Sequence, residues 1–389
     1  MSRPVRVRLI RPLERTVAEG HPWVYRDALA PHEAAPGTEA ILLTRNGNFL
    51  ARGYLDAGPI GLRVLTTRDE PLGEALVRRR FEAAAELRDR VVPAETTAYR
   101  LVHGEGDRLP GVVVDVYGEH AVMRLDGEGA TARRDTWAAG ARPVLESRGI
   151  RHLLVRTGRK ESVRTDVAFG SAPSGLVAVR ERGAVLLGDL LEGQKTGLFL
   201  DHRESRFRVR ALAAGLRVLN LYGYTGGFSV SAGLGGAAHV TTVDVAKGAI
   251  ELARATWEAN GLDPARHDAV ASDVPDFLSA SGDRTWDLVV ADPPNFAPNA
   301  RSLEAAKKSY ESLHASCLEH LARGGYYLAA SCSSHVDMTI FQETLSAAAR
   351  RSRRVLQILE RTGAPADHPR LSAFPEGDYL KVILARVAD

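Results

Sequence analysis

The chain has 389 residues, 44% hydrophobic and 25% charged, which is enough length and apolar side chain for two or three domains with cores of their own. With 51 Lys and Arg against 48 Asp and Glu the net charge is only +3, so bulk charge announces neither a nucleic-acid binder nor an acidic partner. Its 2 cysteines make no disulfide framework, no signal core follows the basic start Met1-Ser2-Arg3-Pro4, and no window approaches the roughly 20 apolar residues of a membrane span; a soluble, cytoplasmic protein without membrane contact is expected.

Residues 1–73 alternate short strands, such as 39–44 and 48–55, with glycine and proline turns, the pattern of a small β-barrel. A charged helix over about 74–90 opens a second, α+β segment ending near 190. Within it residues 112–117 and 120–125 predict a hairpin across Gly118-Glu119, followed by a helix and two further strands. From 191 to 389 strands and helices alternate as in a doubly wound α/β sheet. Arginine clusters at 78–80, 156–160 and 350–354 read as solvated faces unless they border a cleft that takes phosphates.

The most informative run of that last segment starts at Val218. Residues 218–222 read as a strand entering Gly223-Tyr224-Thr225-Gly226-Gly227-Phe228-Ser229, and a second strand, 239–244, ends in Asp244. Strand, glycine turn, helix and a strand with a terminal acid cradle an adenosine-containing cofactor, the acid taking the ribose hydroxyls. The third glycine of a dinucleotide fingerprint is missing from Gly223 onward, so a methyltransferase using S-adenosylmethionine fits better than a dehydrogenase. A plain βαβ turn is the bland alternative.

Residues 286–291 form an apolar strand running into Asp292-Pro293-Pro294-Asn295, where two prolines stop pairing at a rigid edge. In Asp/Asn-Pro-Pro methyltransferases this tripeptide holds the target base; Asp292 could accept from an exocyclic amine or protonate a ring nitrogen. Tyr310, Leu313, Cys317 and Leu321 share one apolar helical face, which makes Cys317 core filling. After Gly324-Gly325, read as helix-stopping, a strand from Tyr326 to Ser331 delivers Cys332 to the same sheet edge as Asp292. A thiolate there can add to cytosine C6 and make C5 nucleophilic. An inert buried thiol is the alternative.

The segment Gly193-Gln194-Lys195-Thr196-Gly197-Leu198-Phe199-Leu200-Asp201-His202-Arg203 adds to these motifs, as do Asp367-His368-Pro369 and Phe374-Pro375-Glu376-Gly377-Asp378-Tyr379-Leu380-Lys381. With Gly20-His21-Pro22-Trp23 and His103-Gly104-Glu105-Gly106-Asp107, they closely resemble the bacterial 23S rRNA large-subunit methyltransferase I family, which makes 5-methylcytosine. The resemblance implies a PUA domain over 1–73, a middle domain over 74–190 and a class I Rossmann-like methyltransferase domain over 191–389. It implies Cys332 and Asp292 as catalytic residues, 23S rRNA as partner and no metal. Asn220, Thr225, Gly226, Phe228 and Ser229 are expected at the methionine end of the cofactor, Asp244 at the ribose and Asp273 at the adenine amine. Thr196, Phe199, Asp201 and Arg203 are expected to close over it, with Asp292 at its edge, and a homodimer is among the assemblies this organisation allows.

Two positions depart from the family. Asn295 stands where Lys is common and cannot serve as the second cysteine of other RNA cytosine-5 methyltransferases, and Gly223 stands where Ser is usual. The base that removes the C5 proton is therefore unassigned. Guanine-N7 or adenine-N6 transfer needs no cysteine and stays open, as does a non-catalytic PUA-type RNA-binding or ribosome-assembly factor.

Overall fold

The computed structural model describes residues 3–158 and 162–388. Met1, Ser2 and, from the basic cluster at 156–160, Arg159 and Lys160 lie outside the described residues. The chain divides into two compact units, one of residues 1–177, 189–200 and 366–377, the other of 178–188, 201–365 and 378–389.

The first unit contains two five-stranded sheets. One is built from β1 (Val5–Arg8), β2 (Trp23–Tyr25), β3 (Glu39–Leu43), β4 (Phe49–Leu55) and β5 (Ile60–Thr66), with α1 (Glu14–Ala18) between its first strands in sequence. Ala40 and Leu42 alternate with half-exposed neighbours along β3, so one face carries a core with Val7, Val24, Leu55 and Leu62. The chain continues through α2 (Glu74–Val91), β6 (Ala98–His103), β7 (Val112–Tyr117), β8 (His120–Leu125), α3 (Glu128–Ala132), α4 (Arg134–Ser147), β9 (His152–Thr157) and β10 (Arg164–Phe169), whose strands form the second sheet. The hairpin falls where the sequence placed it, Tyr117 opposite His120, with Gly118 at φ +63° supplying the left-handed turn. Phe81 of α2 and Trp137 and Leu145 of α4 pack on Val114 and Met123.

Buried ionic clusters tie this unit together. Arg63 on β5 donates to Asp56 at 2.7 Å, Glu105 at 3.0 Å and Asp126 at 3.0 Å, and Trp23 Nε1 shares Glu105 at 2.9 Å. Arg88 on α2 grips both oxygens of Asp107, at 2.6 and 2.7 Å, and donates to the Asp367 carbonyl at 2.7 Å. The motif at 367–369 therefore belongs with the one at 103–111: a Cβ on Gly106 would lie 1.9 Å from the Pro369 carbonyl oxygen, which only glycine permits. Arg156, expected on a solvated face, is buried instead. Its guanidinium donates to the carbonyls of Leu190, Leu191 and Gly193 and anchors that segment to β9.

The second unit starts with the hairpin β11 (Val177–Glu181) and β12 (Ala184–Gly188), pinned to α5 (Arg203–Leu212) by a buried bidentate Glu181–Arg206 pair at 2.6 Å. This adds two strands to the pair expected between the middle helix and residue 190. The chain then runs β13 (Arg217–Leu221), α6 (Gly227–Leu234), β14 (His239–Asp244), α7 (Lys247–Ala259), β15 (His267–Ala271), α8 (Val274–Ala280) and β16 (Trp286–Ala291), followed by α9 (Leu303–Glu319), β17 (Leu321–Ser331), α10 (Met338–Arg351), β18 (Leu356–Thr362) and β19 (Lys381–Val387). The seven strands lie in the order β15-β14-β13-β16-β17-β19-β18. The first five are parallel, and β19 returns antiparallel between β17 and β18. Parallel strands buried on both faces read as continuous apolar runs. Leu219, Val289 and Ala329 accordingly face α9 and α10 residues, while Val218, Leu288 and Leu328 share a core with Val209 of α5, Val230 of α6 and Trp257 of α7.

Gly324-Gly325 do not stop a helix. Helix α9 has already ended at Glu319, and the pair sits inside β17, where Gly324 at φ +73° absorbs a shift from Trp286↔Leu321 to Leu288↔Tyr326. No described helix is long and apolar enough to cross a membrane.

The Arg63 cluster generates a stability prediction. Arg63→Met leaves Asp56, whose side chain is 1% exposed, as a buried charge without its cation. The expected loss is about 3–5 kcal/mol, the range for breaking a buried pair from one side. It should show as a lower midpoint of the first transition in denaturant unfolding.

Candidate active site and cofactor cradle

At the carboxyl end of β13 the chain reverses through Tyr222 at φ +57° and Tyr224 at φ +45°, a left-handed backbone that non-glycine residues seldom adopt, and Gly226 at φ +77° starts α6. A Cβ on Gly223 would sit 2.5 Å from Thr242 Cγ2 and 2.9 Å from Asn220 Nδ2, so this chain has no room there for serine. The turn is clamped by Asp244 at the end of β14. Its carboxylate accepts from Tyr224 N and Ala246 N, each at 2.9 Å, and stays partly exposed. Asp273 follows β15, the neighbouring parallel strand; it is exposed and caps α8 by accepting from Asp276 N.

Beneath the turn runs a buried polar chain. Asn220 Nδ2 donates to Ser229 Oγ at 2.9 Å, Ser229 Oγ lies 2.6 Å from Thr242 Oγ1, and Thr242 Oγ1 lies 2.7 Å from His267 Nε2. The amide can only donate at its start, and either hydroxyl can be the donor of the Ser229–Thr242 bond. Burial holds His267 down at about 4, which keeps the imidazole neutral at the end of the chain. Asn220 Oδ1 is buried and has no partner, an acceptor lacking a donor. With Asp244 and Asp273 it makes a set of acceptors along adjacent strand ends. These match the ammonium, ribose hydroxyls and adenine amine of S-adenosylmethionine, all of which are donors. Thr225 and Phe228 are buried at the same turn.

Asp292 follows β16 and Cys332 follows β17, whose pairing places Ala291 opposite Ala329. The two loops are knotted together. Tyr310 Oη bonds Ser331 Oγ at 2.8 Å and Ser333 Oγ at 2.9 Å, and Ser333 Oγ donates to Asn295 Oδ1 at 2.7 Å, which also accepts Ala297 N at 2.8 Å. Asn295 is thus the splice between the Asp-Pro-Pro loop and the cysteine turn, a role its spacing could not reveal. Cys332 is partly exposed; Cys317 is fully buried in α9, and burial pushes its thiol up to about 12.

Sequence reasoning gave His202 no role. It is 3% exposed and its Nε2 lies 3.1 Å from Asp292 Oδ2, while Nδ1 is buried without a partner. Burial opposes the imidazolium, but the Asp292 carboxylate and then Asp201 outweigh it, so His202 titrates above its ordinary value. Its ring meets Phe228 edge-on at 5.4 Å. Asp201 accepts from Tyr379 Oη at 2.8 Å, and Arg203, 1% exposed, pairs with Glu204 at 3.1 Å. Thr196 and Phe199 fall in the first unit. Thr196 Oγ1 donates to Asp115 at 2.6 Å and lies 2.9 Å from Tyr117 Oη, and Lys195 Nζ sits 4.3 Å over the Phe199 ring. Lys381 is the other residue passed over, a lysine 2% exposed at the start of an otherwise apolar strand.

A doubly wound sheet with its glycine turn, two strand-end acids and an Asp-Pro-Pro loop on one edge defines a class I S-adenosylmethionine-dependent methyltransferase. Residues 108–386 match the family model described as S-adenosylmethionine-dependent methyltransferase, and residues 7–67 match that of a PUA-like domain. A protein of Cronobacter sakazakii, ribosomal RNA large subunit methyltransferase I, is 35% identical over 387 residues, covering 97% of this chain and 98% of its own. The chain belongs to that family. Among solved structures, a protein of Streptococcus mutans assigned as an S-adenosylmethionine-dependent methyltransferase matches with a TM-score of 0.87 at 26% identity, covering 98% of this chain and 100% of its own. The structure of SMU.776, also assigned as a methyltransferase, matches with the same TM-score and identity over 99% and 100% of the two chains, and is complexed with SAH.

Two measurements test this cradle. Asp244→Ala is expected to weaken S-adenosylmethionine binding by about 1.5–3 kcal/mol, the range for hydroxyls left without a charged acceptor; calorimetry showing unchanged affinity would remove Asp244 from the site. The second concerns acid stability. The unfolded chain protonates His267 near 6.5 but the folded chain only near about 4, so its contribution is complete above pH 6.5 and is lost as pH falls toward 4. His314, which burial holds at about 3, adds to the same acid limb. His267→Gln should flatten that limb in thermal unfolding recorded from pH 7 to 4, leaving the share due to His314.

Proposed function

We propose that this chain, a ribosomal RNA large subunit methyltransferase I by family, methylates C5 of a cytosine in 23S rRNA in the cytoplasm, with Cys332 as nucleophile. The observation that carries the reading is the knot at the sheet edge. Tyr310, Ser331, Ser333 and Asn295 fix a partly exposed cysteine beside the loop that carries Asp292. Nitrogen-directed transfer would use this network only to hold the Asp-Pro-Pro loop and needs no thiol at its centre.

Asn220, Thr225, Gly226, Phe228, Ser229, Asp244 and Asp273 would hold S-adenosylmethionine, joined by Thr196, Phe199, Asp201 and Arg203 as the family resemblance implies. Bound there, it supplies an electrophilic methyl group. The Cys332 thiolate forms a bond to C6, and the C5=C6 electrons shift to give C5 enamine character. Asp292 accepts from the exocyclic amine. His202, whose Nε2 lies against Asp292 Oδ2, orients that carboxylate and is a source for the proton that N3 takes up on addition. Loss of the C5 proton then lets the Sγ–C6 bond break and restores the ring. An accessible, unpaired cytosine suits this site, since extruding a stacked base costs about a few kcal/mol.

Cys332→Ala is expected to abolish methylation of 23S rRNA while retaining cofactor affinity. RNA containing 5-fluorocytidine should trap a covalent adduct with the parent enzyme and none with the variant, because fluorine cannot leave as a proton does. Methylation by Cys332→Ala at the normal rate would overturn the reading in favour of guanine-N7 or adenine-N6 transfer.

A further inference from the structure

The cysteine turn is held from a second direction. Strand β19 runs antiparallel to β17, and its first residue, Lys381, lies opposite Ser331. The Lys381 side chain is buried, and its Nζ donates to the Ser333 carbonyl at 2.6 Å and the Tyr379 carbonyl at 2.8 Å. Cys332 is therefore bracketed: the residue before it pairs with the Lys381 backbone, and the residue after it receives the Lys381 side chain.

Two carbonyls account for two of the three positions on Nζ besides its own carbon. In the ammonium the third position is an N–H; in the neutral amine it is the lone pair, and both carbonyls remain satisfied. Burial is the largest influence on Lys381 and lowers it to about 8, bringing it level with an ordinary thiol, near 8.5. Of the charges that favour its ammonium, Cys332 is the strongest, ahead of Asp378 and Asp337. Tyr310, on the other side of the turn, feels both Cys332 and Asp292.

We propose that Lys381 is the positioning residue that makes Cys332 a nucleophile: its amine takes the Sγ proton, and the ammonium so formed stays beside the thiolate. The S–H bond breaks, an N–H bond forms, and the electron pair remains on sulfur, so the step needs no further reactant. Burial opposes the ammonium, and the two carbonyls that already face Nζ, together with its attraction to the thiolate, offset that penalty. The proposal rests on the reading of Cys332 as nucleophile, but it makes a claim about the resting enzyme that needs neither RNA nor cofactor to check.

The experiment is the pH profile of Cys332 alkylation by iodoacetamide, followed by peptide mass, with buried Cys317 as the unreactive internal control. The parent protein should react with a midpoint below that of an ordinary cysteine. Lys381→Met should raise the midpoint by about one unit or more and slow reaction at pH 7 about tenfold, with full alkylation still reached at high pH. Lys381→Gln keeps an N–H for the Ser333 carbonyl but carries no charge, so it should shift the midpoint as Met does; Lys381→Arg should largely restore it. Melting temperature and cofactor affinity, followed in parallel, identify any variant that fails to fold. A midpoint unchanged in folded Lys381→Gln or Lys381→Met would overturn the proposal and leave the lysine as a tie between carbonyls. Failure of the nucleophile reading is separately visible, as methylation by Cys332→Ala.

Discussion

The chemistry of the second unit depends on the in-register parallel pairing of β16 with β13 on one side and β17 on the other. Leu221 lies opposite Ala291, and Ala291 opposite Ala329, so β13 and β16 leave the sheet at one level and β17 two residues further on, at the same edge. The glycine turn, the Asp-Pro-Pro loop and the cysteine turn follow from those three exits, and β14 adds Asp244 from the next strand over. Parallel strands send all their carboxyl ends to one edge, where open α/β sheets bind ligands. Lys381 reaches the same edge by the opposite logic. It opens an antiparallel strand, and the start of such a strand lies where its neighbour ends.

Register alone places backbones; hydrogen bonding places the side chains. The serines flanking Cys332 are spent on Tyr310 and Asn295, and the Asn220–Ser229–Thr242–His267 chain rigidifies the floor under the glycine turn. Buried polar groups of this kind contribute only about 1 kcal/mol each when satisfied and cost more when one member is lost, so they specify geometry more than they add stability. Within that chain the acceptor left open is Asn220 Oδ1. The same accounting separates Asn295 from the lysine common at that position: an amide can accept from Ser333 and from Ala297 at once, which an ammonium cannot.

The two cysteines show how environment divides one residue type. Cys317 lies in the core between the sheet and α9, among Tyr310, Leu313 and Leu318, where burial disfavours its thiolate. Cys332 sits one residue past a strand end, partly exposed, with a buried lysine at its back. In the first unit, too, charge is used internally, with Arg63, Arg88 and Arg156 all turned inward. A count of arginines therefore overstates what is left for a nucleic acid.

Much of this was legible from the residues alone because local rules governed it. The apolar runs at β13, β14 and β16, the left-handed glycine of the β7–β8 hairpin, the double proline after Asp292 and the helical spacing that buries Cys317 each follow from backbone sterics or periodicity within a few residues. The tertiary structure decided what depends on distant pairs. Gly324-Gly325 became a bulge inside β17 because Trp286 and Leu288 take partners five residues apart, which no reading of the glycines could show. His202 meets Asp292 across 90 residues of chain, and Lys381 meets the Ser333 carbonyl across 48. A histidine in a loop and a lysine at a strand start carry no local signal of burial; only the fold, by taking water away from each and offering Asp292 to one and two carbonyls to the other, brings them to the sheet edge that carries Asp292 and Cys332.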